Sequence, residues 1–526
     1  MRSSLSRGSR DLYDQGQERL SSVGHLGKIL KESAIGSLGS YVGIALNYVL
    51  LLVITRFLTP TDYGVFALGQ TIVNLSLIFV LFGTPKALDR FIPQYQALGE
   101  LGRIRTLISR VLGWVVLTSL IITVLLFLLS PLLATWFSEP ELQYVLQRLL
   151  LALPAIALVR ELSSIFLGFR QIRYRVYFES LFILFLKLLL GVPILLAGFG
   201  LMGWLWAFFL ASVGGAIMAL WMFYREVWRP IQVCPPQAIN SRDVVSYAWP
   251  LSFSSVILLV VGQIDSLFLG YYHSAADVGI FRVYIYVVAL IGVIKMSFAQ
   301  IFKPVAAGLV TKGDFQGLSD IYRRVAKWLF QLNLAILLLF MVLGKDILGI
   351  MFPSDYLVGL GALLVLLTGR FLNSAFGPEG MLLEALGHTR LSLLNSLVML
   401  GTNFAVDYLL IPQYGILGAA VGAASAMVVG GLAGVLELFT KYRLQPFEWR
   451  HLKYLLAGLF CAFIVYVLKG RLGGRIVWVS VESLIFMVLY IGGLFLVEGF
   501  DSVDYELLNR IRGRLAGREQ KTVGSN

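Results

Sequence analysis

Apolar residues in this chain come in runs of about 20 without charge, the length that carries an α-helix across roughly 30 Å of hydrocarbon. Reading these runs between charged or turn-rich breaks predicts fourteen helices, near 34–55, 64–84, 111–135, 149–168, 178–198, 201–223, 248–270, 279–302, 327–344, 357–377, 391–411, 415–439, 454–469 and 476–497. The polar breaks between them are short, so consecutive helices cross in opposite directions.

Charge orients the array. With the N-terminus inside, and Lys327 and Lys469 at span ends counted with the loops they adjoin, the inner segments hold 32 of the 43 Lys and Arg, the outer loops hold six and the spans hold five. That bias predicts both termini in the cytoplasm of a plasma (inner) membrane, with Arg510, Arg512, Arg514 and Arg518 in the C-terminal tail. Residues 1–31 are polar and basic and carry no short apolar region ahead of a small-residue cleavage site, so the first span is expected to serve as its own insertion signal.

Self-comparison adds a second layer. Asp62-Tyr63-Gly64-Val65-Phe66, after the first span, matches Asp277-Val278-Gly279-Ile280-Phe281, after the seventh, at an offset of 215. The same offset carries Gly200 and Gly203 onto Gly415 and Gly418, and Arg175 onto Arg390. Six spans separate each matched pair, so both copies enter the membrane in the same direction and the repeats are parallel. The expected fold is an all-α membrane protein of about fourteen transmembrane helices: two parallel-repeat six-helix lobes plus two C-terminal helices. Its expected domains are a cytoplasmic tail 1–33, an N-lobe 34–224, a cytoplasmic linker 225–247 with Pro230, Pro235 and Pro236, a C-lobe 248–440, a helix pair 441–497 and a tail 498–526.

Composition agrees and narrows the chemistry. Of the 526 residues 58% are hydrophobic and 14% charged, and the mean hydropathy is +0.81. The net charge of +13 lies between the apolar runs rather than along one stripe, so topology accounts for it and no nucleic-acid partner is expected. Cys234 and Cys461 are too far apart for a C-x-x-C site, and His25, His273, His388 and His451 are scattered over different loops and tails. There is no G-x-x-x-x-G-K-[ST] loop. No catalytic residues, metal site or cofactor is therefore expected, and the chain does not read as an enzyme.

Gly198-Phe199-Gly200-Leu201-Met202-Gly203 fits G-x-G-x-x-G but lacks the strand that the dinucleotide pattern requires, and reads as a tight outer turn. Asn74-Leu75-Ser76 has the glycosylation pattern but falls within the second span. Gly39 with Gly43, Gly418 with Gly422 and Gly430 with Gly434 are spaced for close helix packing, within the chain or at a dimer face.

An ionisable side chain inside hydrocarbon faces a cavity or a partner. Lys187 and Arg370 lie near mid-span, Lys295 in the inner half of the eighth span, Arg160 and Glu161 in the fourth, and Arg282 in the first turn of the eighth. Lys187, Lys295, Arg370, Arg160 and Arg282 are the candidate substrate-binding cations, and Asp265 and Glu379 the candidate ion-coupling groups. Arg282, Asp265 and Asp407 also lie close enough to the outer surface to reach it along their own stems. An excess of cations predicts an anionic cargo group such as a phosphate.

Arg56-Phe57-Leu58-Thr59-Pro60-Thr61-Asp62-Tyr63-Gly64-Val65-Phe66-Ala67-Leu68, followed by Gly83 and by Lys86-Ala87-Leu88-Asp89-Arg90-Phe91, resembles the N-terminal signature of Wzx-type polysaccharide flippases. These belong to the multidrug, oligosaccharidyl-lipid and polysaccharide exporter superfamily. The resemblance implies a flippase that moves a polyprenyl-phosphate-type lipid-linked oligosaccharide from the cytoplasmic to the outer leaflet by alternating access, its two lobes rocking about a central cationic cavity. It implies the lipid bilayer and lipid-linked oligosaccharide as partners, with a glycan polymerase or glycosyltransferases as candidate protein partners. A multidrug or cation antiporter of the same superfamily, a lipid II flippase and a non-transporting scaffold are the alternatives. Spans 34–55 and 64–84 contain no charge, which departs from the lipid II branch.

Overall fold

Hydrocarbon offers no hydrogen bonds, so backbone groups that cross it must bond within their own segment, and the apolar runs form helices. The computed structural model describes residues 39–472, 476–501 and 504, and contains no β-strand among them. The expected tail 1–33, residues 34–38 of the first span, Arg475 and the terminal arginines from Arg510 onward lie outside the described residues.

In chain order the helices are α1 (Gly39–Phe57), α2 (Pro60–Leu81), α3 (Thr84–Ala97), α4 (Leu101–Trp136), α5 (Pro140–Gly168), α6 (Arg173–Leu196), α7 (Gly200–Ile231) and α8 (Ser241–Tyr272). They continue as α9 (Ala275–Lys312), α10 (Phe315–Met351), α11 (Leu360–Ala385), α12 (Thr389–Tyr414), α13 (Ile416–Tyr442), α14 (Arg450–Leu472) and α15 (Ile476–Leu496). Thirteen described helices are long and apolar enough to cross a membrane, and α8 adds a shorter apolar stretch, Val256–Tyr272. Each of the fourteen expected spans has its helix, and the chain is an all-α multi-pass membrane protein.

The helices outrun the apolar windows. At 1.5 Å per residue, the 36 residues of α4 extend about 54 Å, well beyond the hydrocarbon. Its first ten residues carry Arg103, Arg105 and Arg110, and continue as helix because each polar turn still satisfies its own backbone. The stretch between the second and third expected spans holds a further amphipathic helix, α3, set off from α2 by Phe82 and Gly83, both left-handed at φ 37° and 79°. The non-helical connection after α7 is short, residues 232–240, and it packs on the start of α4: Arg105 donates to the Gln232 and Cys234 carbonyls at 2.9 and 2.8 Å.

Two compact units divide the chain between Arg282 and Val283, inside α9. In the first, α5 is central and packs on α2, α3, α4 and α7. Its apolar window is 61% buried against 17% for that of α4 and 18% for that of α6, so α4 and α6 lie at the outside of this unit. In the second, α13 packs on α11 and α12, while α14 and α15 pack on α10 and on each other. Small residues set the α13 spacing: a Cβ at Gly430 would overlap Met399, and one at Gly434 would press on Glu379. These glycines serve packing within the chain.

The matched sequence segments have one local structure. Thr59 caps α2, its hydroxyl 2.8 Å from Asp62 Oδ2 and accepting from the Asp62 N–H at 3.1 Å. Ser274 repeats this with Asp277 at 3.1 and 3.3 Å. Each pair satisfies an orphan donor at a helix start, and at Thr59 the backbone N–H also donates to Asp62, completing a capping box with Asp in the acidic role. At the other matched site Gly198 and Gly200 take φ of +83° and +54°, and Gly415 takes +53°. Those values make tight turns, and no strand precedes the glycines.

Candidate functional site

Four helices of the first unit line an open cavity of about 180 Å³. Each offers residues one turn apart, so one face of each helix lines it. From α2 come Gln70 and Asn74, from α5 Ile156 and Arg160, from α6 Glu179, Ile183 and Lys187, and from α7 Phe208 and Ser212. Glu179 lies in a π-helical turn, Val176–Phe182, which shifts the register of α6 relative to a straight α-helix.

Lys187 and Arg160 are brought together here. The Lys187 ammonium sits 4.2 Å from the centroid of the Phe208 ring, a cation–π contact that partly replaces lost water. Among the described residues neither Lys187 nor Arg160 forms an ion pair. Glu179 is the cavity's one carboxylate, and it is held by Arg175 at 3.0 Å. A low-dielectric pocket with two cations and one carboxylate, whose charge reaches Arg160 but which pairs with Arg175, keeps an excess of positive charge and attracts an anion, because binding offsets a desolvation cost already incurred in folding.

The other cations have different settings. In the second unit the Lys295 ammonium donates to the Asn373 carbonyl at 3.0 Å and its Oδ1 at 3.2 Å, and pairs with Glu379 at 3.1 Å. The candidate cation and the candidate coupling carboxylate thus form one ion pair between α9 and α11. Arg370 lies one turn before Asn373, its guanidinium against the α9 backbone where Gly292 has no side chain, with Met427 sulfur 3.9 Å away. A Cβ at Gly292 would stand 3.0 Å from Arg370 Nη2. Among the described residues Arg370 has no carboxylate partner.

Arg282, in the first unit, donates to Thr71 Oγ1 at 2.7 Å and to Gln263 Oε1. Asp265 is buried on α8. Asp407 was within reach of the outer surface on sequence grounds, but it is fully buried on α12, where Asn403 donates to it at 3.0 Å and Gly422 leaves room for it. Among the described residues no three His, Cys, Asp or Glu side chains are grouped to hold a metal.

Sequence reasoning missed Gln70, Asn74, Phe208 and Ser212. The first two left a signal, an i, i+4 pair of amides on one face of an otherwise apolar span. Phe208 left none, since an aromatic ring is ordinary in a transmembrane helix.

Comparison with known proteins adds three relatives and two family matches. A family described as polysaccharide biosynthesis protein matches residues 29–307, and the MatE family matches residues 250–409. An uncharacterised membrane protein of Methanocaldococcus jannaschii is 21% identical over 486 residues, 87% of this chain and 93% of that protein. A probable low-salt glycan biosynthesis flippase of Haloferax volcanii is 23% identical over 264 residues, covering 49% of this chain and 53% of that one. Among solved structures, a lipid II flippase in an inward closed conformation superposes with a TM-score of 0.68 at 14% identity, covering 88% of this chain and 98% of its own. At that identity the likeness is one of fold.

Proposed function

Because the chain belongs to the polysaccharide biosynthesis protein family, and so to the superfamily of membrane transporters and flippases that the sequence resembles, we propose that it flips a lipid-linked oligosaccharide from the cytoplasmic to the outer leaflet of a plasma membrane. The observation that carries the cargo class is the cavity in which Lys187 and Arg160 outnumber the one carboxylate, Glu179, and form no ion pair among the described residues. Its volume has room for a phosphate or diphosphate group. The phosphate linkage of the cargo binds there, the glycan follows through water and the prenyl tail stays in lipid. Transport then proceeds by alternating access, the cavity opening in turn to each side. Similarity to a probable glycan biosynthesis flippase supports the oligosaccharide part of this reading. Both termini are cytoplasmic in it, following the distribution of Lys and Arg.

Two variants in a strain that depends on the protein test the proposal. Lys187→Ala and Arg160→Ala should each lower the rate of flipping about tenfold, the worth of one charge-assisted hydrogen bond. The lipid-linked intermediate should accumulate inside while the amount of protein in the membrane stays normal. Surface glycan and intermediates unchanged in the double variant overturn the proposal. Accumulated lipid II instead of an oligosaccharide intermediate reassigns the cargo, and altered drug sensitivity alone reassigns the chain to antiport.

A further inference from the structure

Next to Arg160, but roughly 100° around α5, a second ionisable group turns away from the cavity. Glu161 is fully buried, and its Oε1 has no hydrogen-bond partner. Its Oε2 lies 3.0 Å from Thr84 Oγ1, at the first residue of α3. The same Thr84 oxygen is 2.6 Å from the Leu81 carbonyl oxygen, at the end of α2.

Counting hydrogens decides what Glu161 is. A threonine hydroxyl has one hydrogen, and a carbonyl oxygen has none to give. The 2.6 Å contact is short even for O–H···O, so the Thr84 hydrogen goes to Leu81. The 3.0 Å contact is then a hydrogen bond only when the Glu161 carboxyl carries a proton and donates it to Thr84.

The surroundings agree. No Lys, Arg or His pairs with Glu161 among the described residues, and the charge that reaches it is that of Asp89 on α3, which has the same sign. A buried carboxylate with no cation and at most one hydrogen bond is among the costliest groups a membrane protein can hold. We propose that Glu161 is a proton-binding site of the transport cycle, loaded in the conformation described here and emptied when α3 and α5 separate enough to admit water.

The fold places it to do this. Phe82 and Gly83 break α2 from α3, and Thr84 joins that break to α5 through Glu161. An ionised Glu161 would have to take the Thr84 hydrogen from Leu81, which frees the last carbonyl of α2 and loosens the joint. Asp89 is half-buried five residues along α3, and one of its carboxylate oxygens is unpartnered. Burial pushes its carboxyl above the ordinary value, while Lys86 and Arg175 pull it back. Its charge, when present, reaches Glu161 and favours the protonated form there. Arg160 and Glu179 face the cavity, Arg170 lies in the turn that follows α5 and Arg173 opens α6.

The use of the proton rests on the transporter reading, but its presence does not, and the two are tested separately. Infrared difference spectra of the full chain in lipid at pH 7 should contain a protonated carboxylic acid band that Glu161→Gln lacks. Thr84→Val should keep that band but shift it, because the acceptor is gone. No band lost in Glu161→Gln, or no shift in Thr84→Val, overturns the site. In vesicles with a pH gradient, flipping of a fluorescent polyprenyl diphosphate sugar by the wild type should change several-fold with the gradient, while Glu161→Gln is insensitive. An equal response in the variant overturns coupling through Glu161. A wild type that flips nothing overturns the flippase reading and leaves the infrared result to decide the proton site.

Discussion

Gly64→Val should destabilise the protein by about 3 kcal/mol or more, at or beyond the upper end for overpacking a core. Gly64 lies against the start of α9, where an added Cβ would overlap the Ala275 carbonyl and stand 3.1 Å from the Gly279 nitrogen. The contact is reciprocal: a Cβ at Gly279 would overlap the Pro60 carbonyl and stand 3.0 Å from the Gly64 nitrogen. Both obstacles are backbone, so no rotamer change relieves them. Neither backbone is free to retreat, since Thr59 with Asp62 and Ser274 with Asp277 fix the two helix starts, and the Ala275 N–H donates to Glu139 at 2.8 Å. Thermal melting in detergent checks this. Gly64→Val and Gly279→Val should each melt far below wild type, while Gly113→Val, where nothing lies within 4 Å, should melt near it. Because the two glycines meet the same pair of turns, Gly64→Ala with Gly279→Ala should cost less than the sum of the single changes. Equal melting of Gly64→Val and Gly113→Val would show that the close approach does not occur.

That contact explains why the two matched segments could be read at all. A capping pair and a glycine forced by close approach each leave a fixed letter at a fixed spacing, so Asp62-x-Gly64 and Asp277-x-Gly279 stand out in one sequence without an alignment. Charges in apolar runs are legible for a similar reason, since Lys187 and Arg160 are conspicuous wherever they point. What they face is not legible. Lys295 and Glu379 are 84 residues apart, and nothing in either helix says that they meet, because pairing between helices has no sequence period. The same holds for Glu161, whose proton is decided by Thr84 and Leu81 on the far side of a helix break. Helix lengths were underestimated because a hydropathy window ends where polar turns begin, whereas the hydrogen-bonded helix does not.

Lys327→Met should cost about 3–5 kcal/mol, the penalty for leaving a buried charge without its partner. Lys327 is 5% exposed on α10 and bonds Asp504 at 2.7 Å and Asp501 at 2.9 Å, in the segment that follows α15. Asp504 is equally buried and also accepts from the Trp328 indole at 2.9 Å and from the Asp501 N–H at 2.7 Å. Two residues earlier, Gly499 accepts from Gln331 at 3.0 Å, which continues the seam along α10. Removing the ammonium leaves the buried Asp504 without a cation, beside an Asp501 that keeps only Arg450 at 3.1 Å, so the segment should detach, and limited proteolysis should cut there at least tenfold faster. The double variant Lys327→Met, Asp504→Asn should recover part of the loss, because it removes the orphaned charge as well as the pair. Acid should act at the same joint. Burial pushes the Asp504 carboxyl up, but Lys327, the Asp501 N–H and Trp328 outweigh it and hold it below the ordinary carboxylate range. A group depressed on folding stabilises above its unfolded value, about 4, and that contribution is lost as pH falls through its folded value. Protease sensitivity at this segment should therefore rise below about pH 4 in the wild type, whereas in Lys327→Met it should be highest near neutral pH and fall as acid neutralises the carboxylate that has lost its cation. If the wild type is cut equally fast at pH 7 and pH 3 and Lys327→Met matches it at both, the charge cluster does not hold the segment.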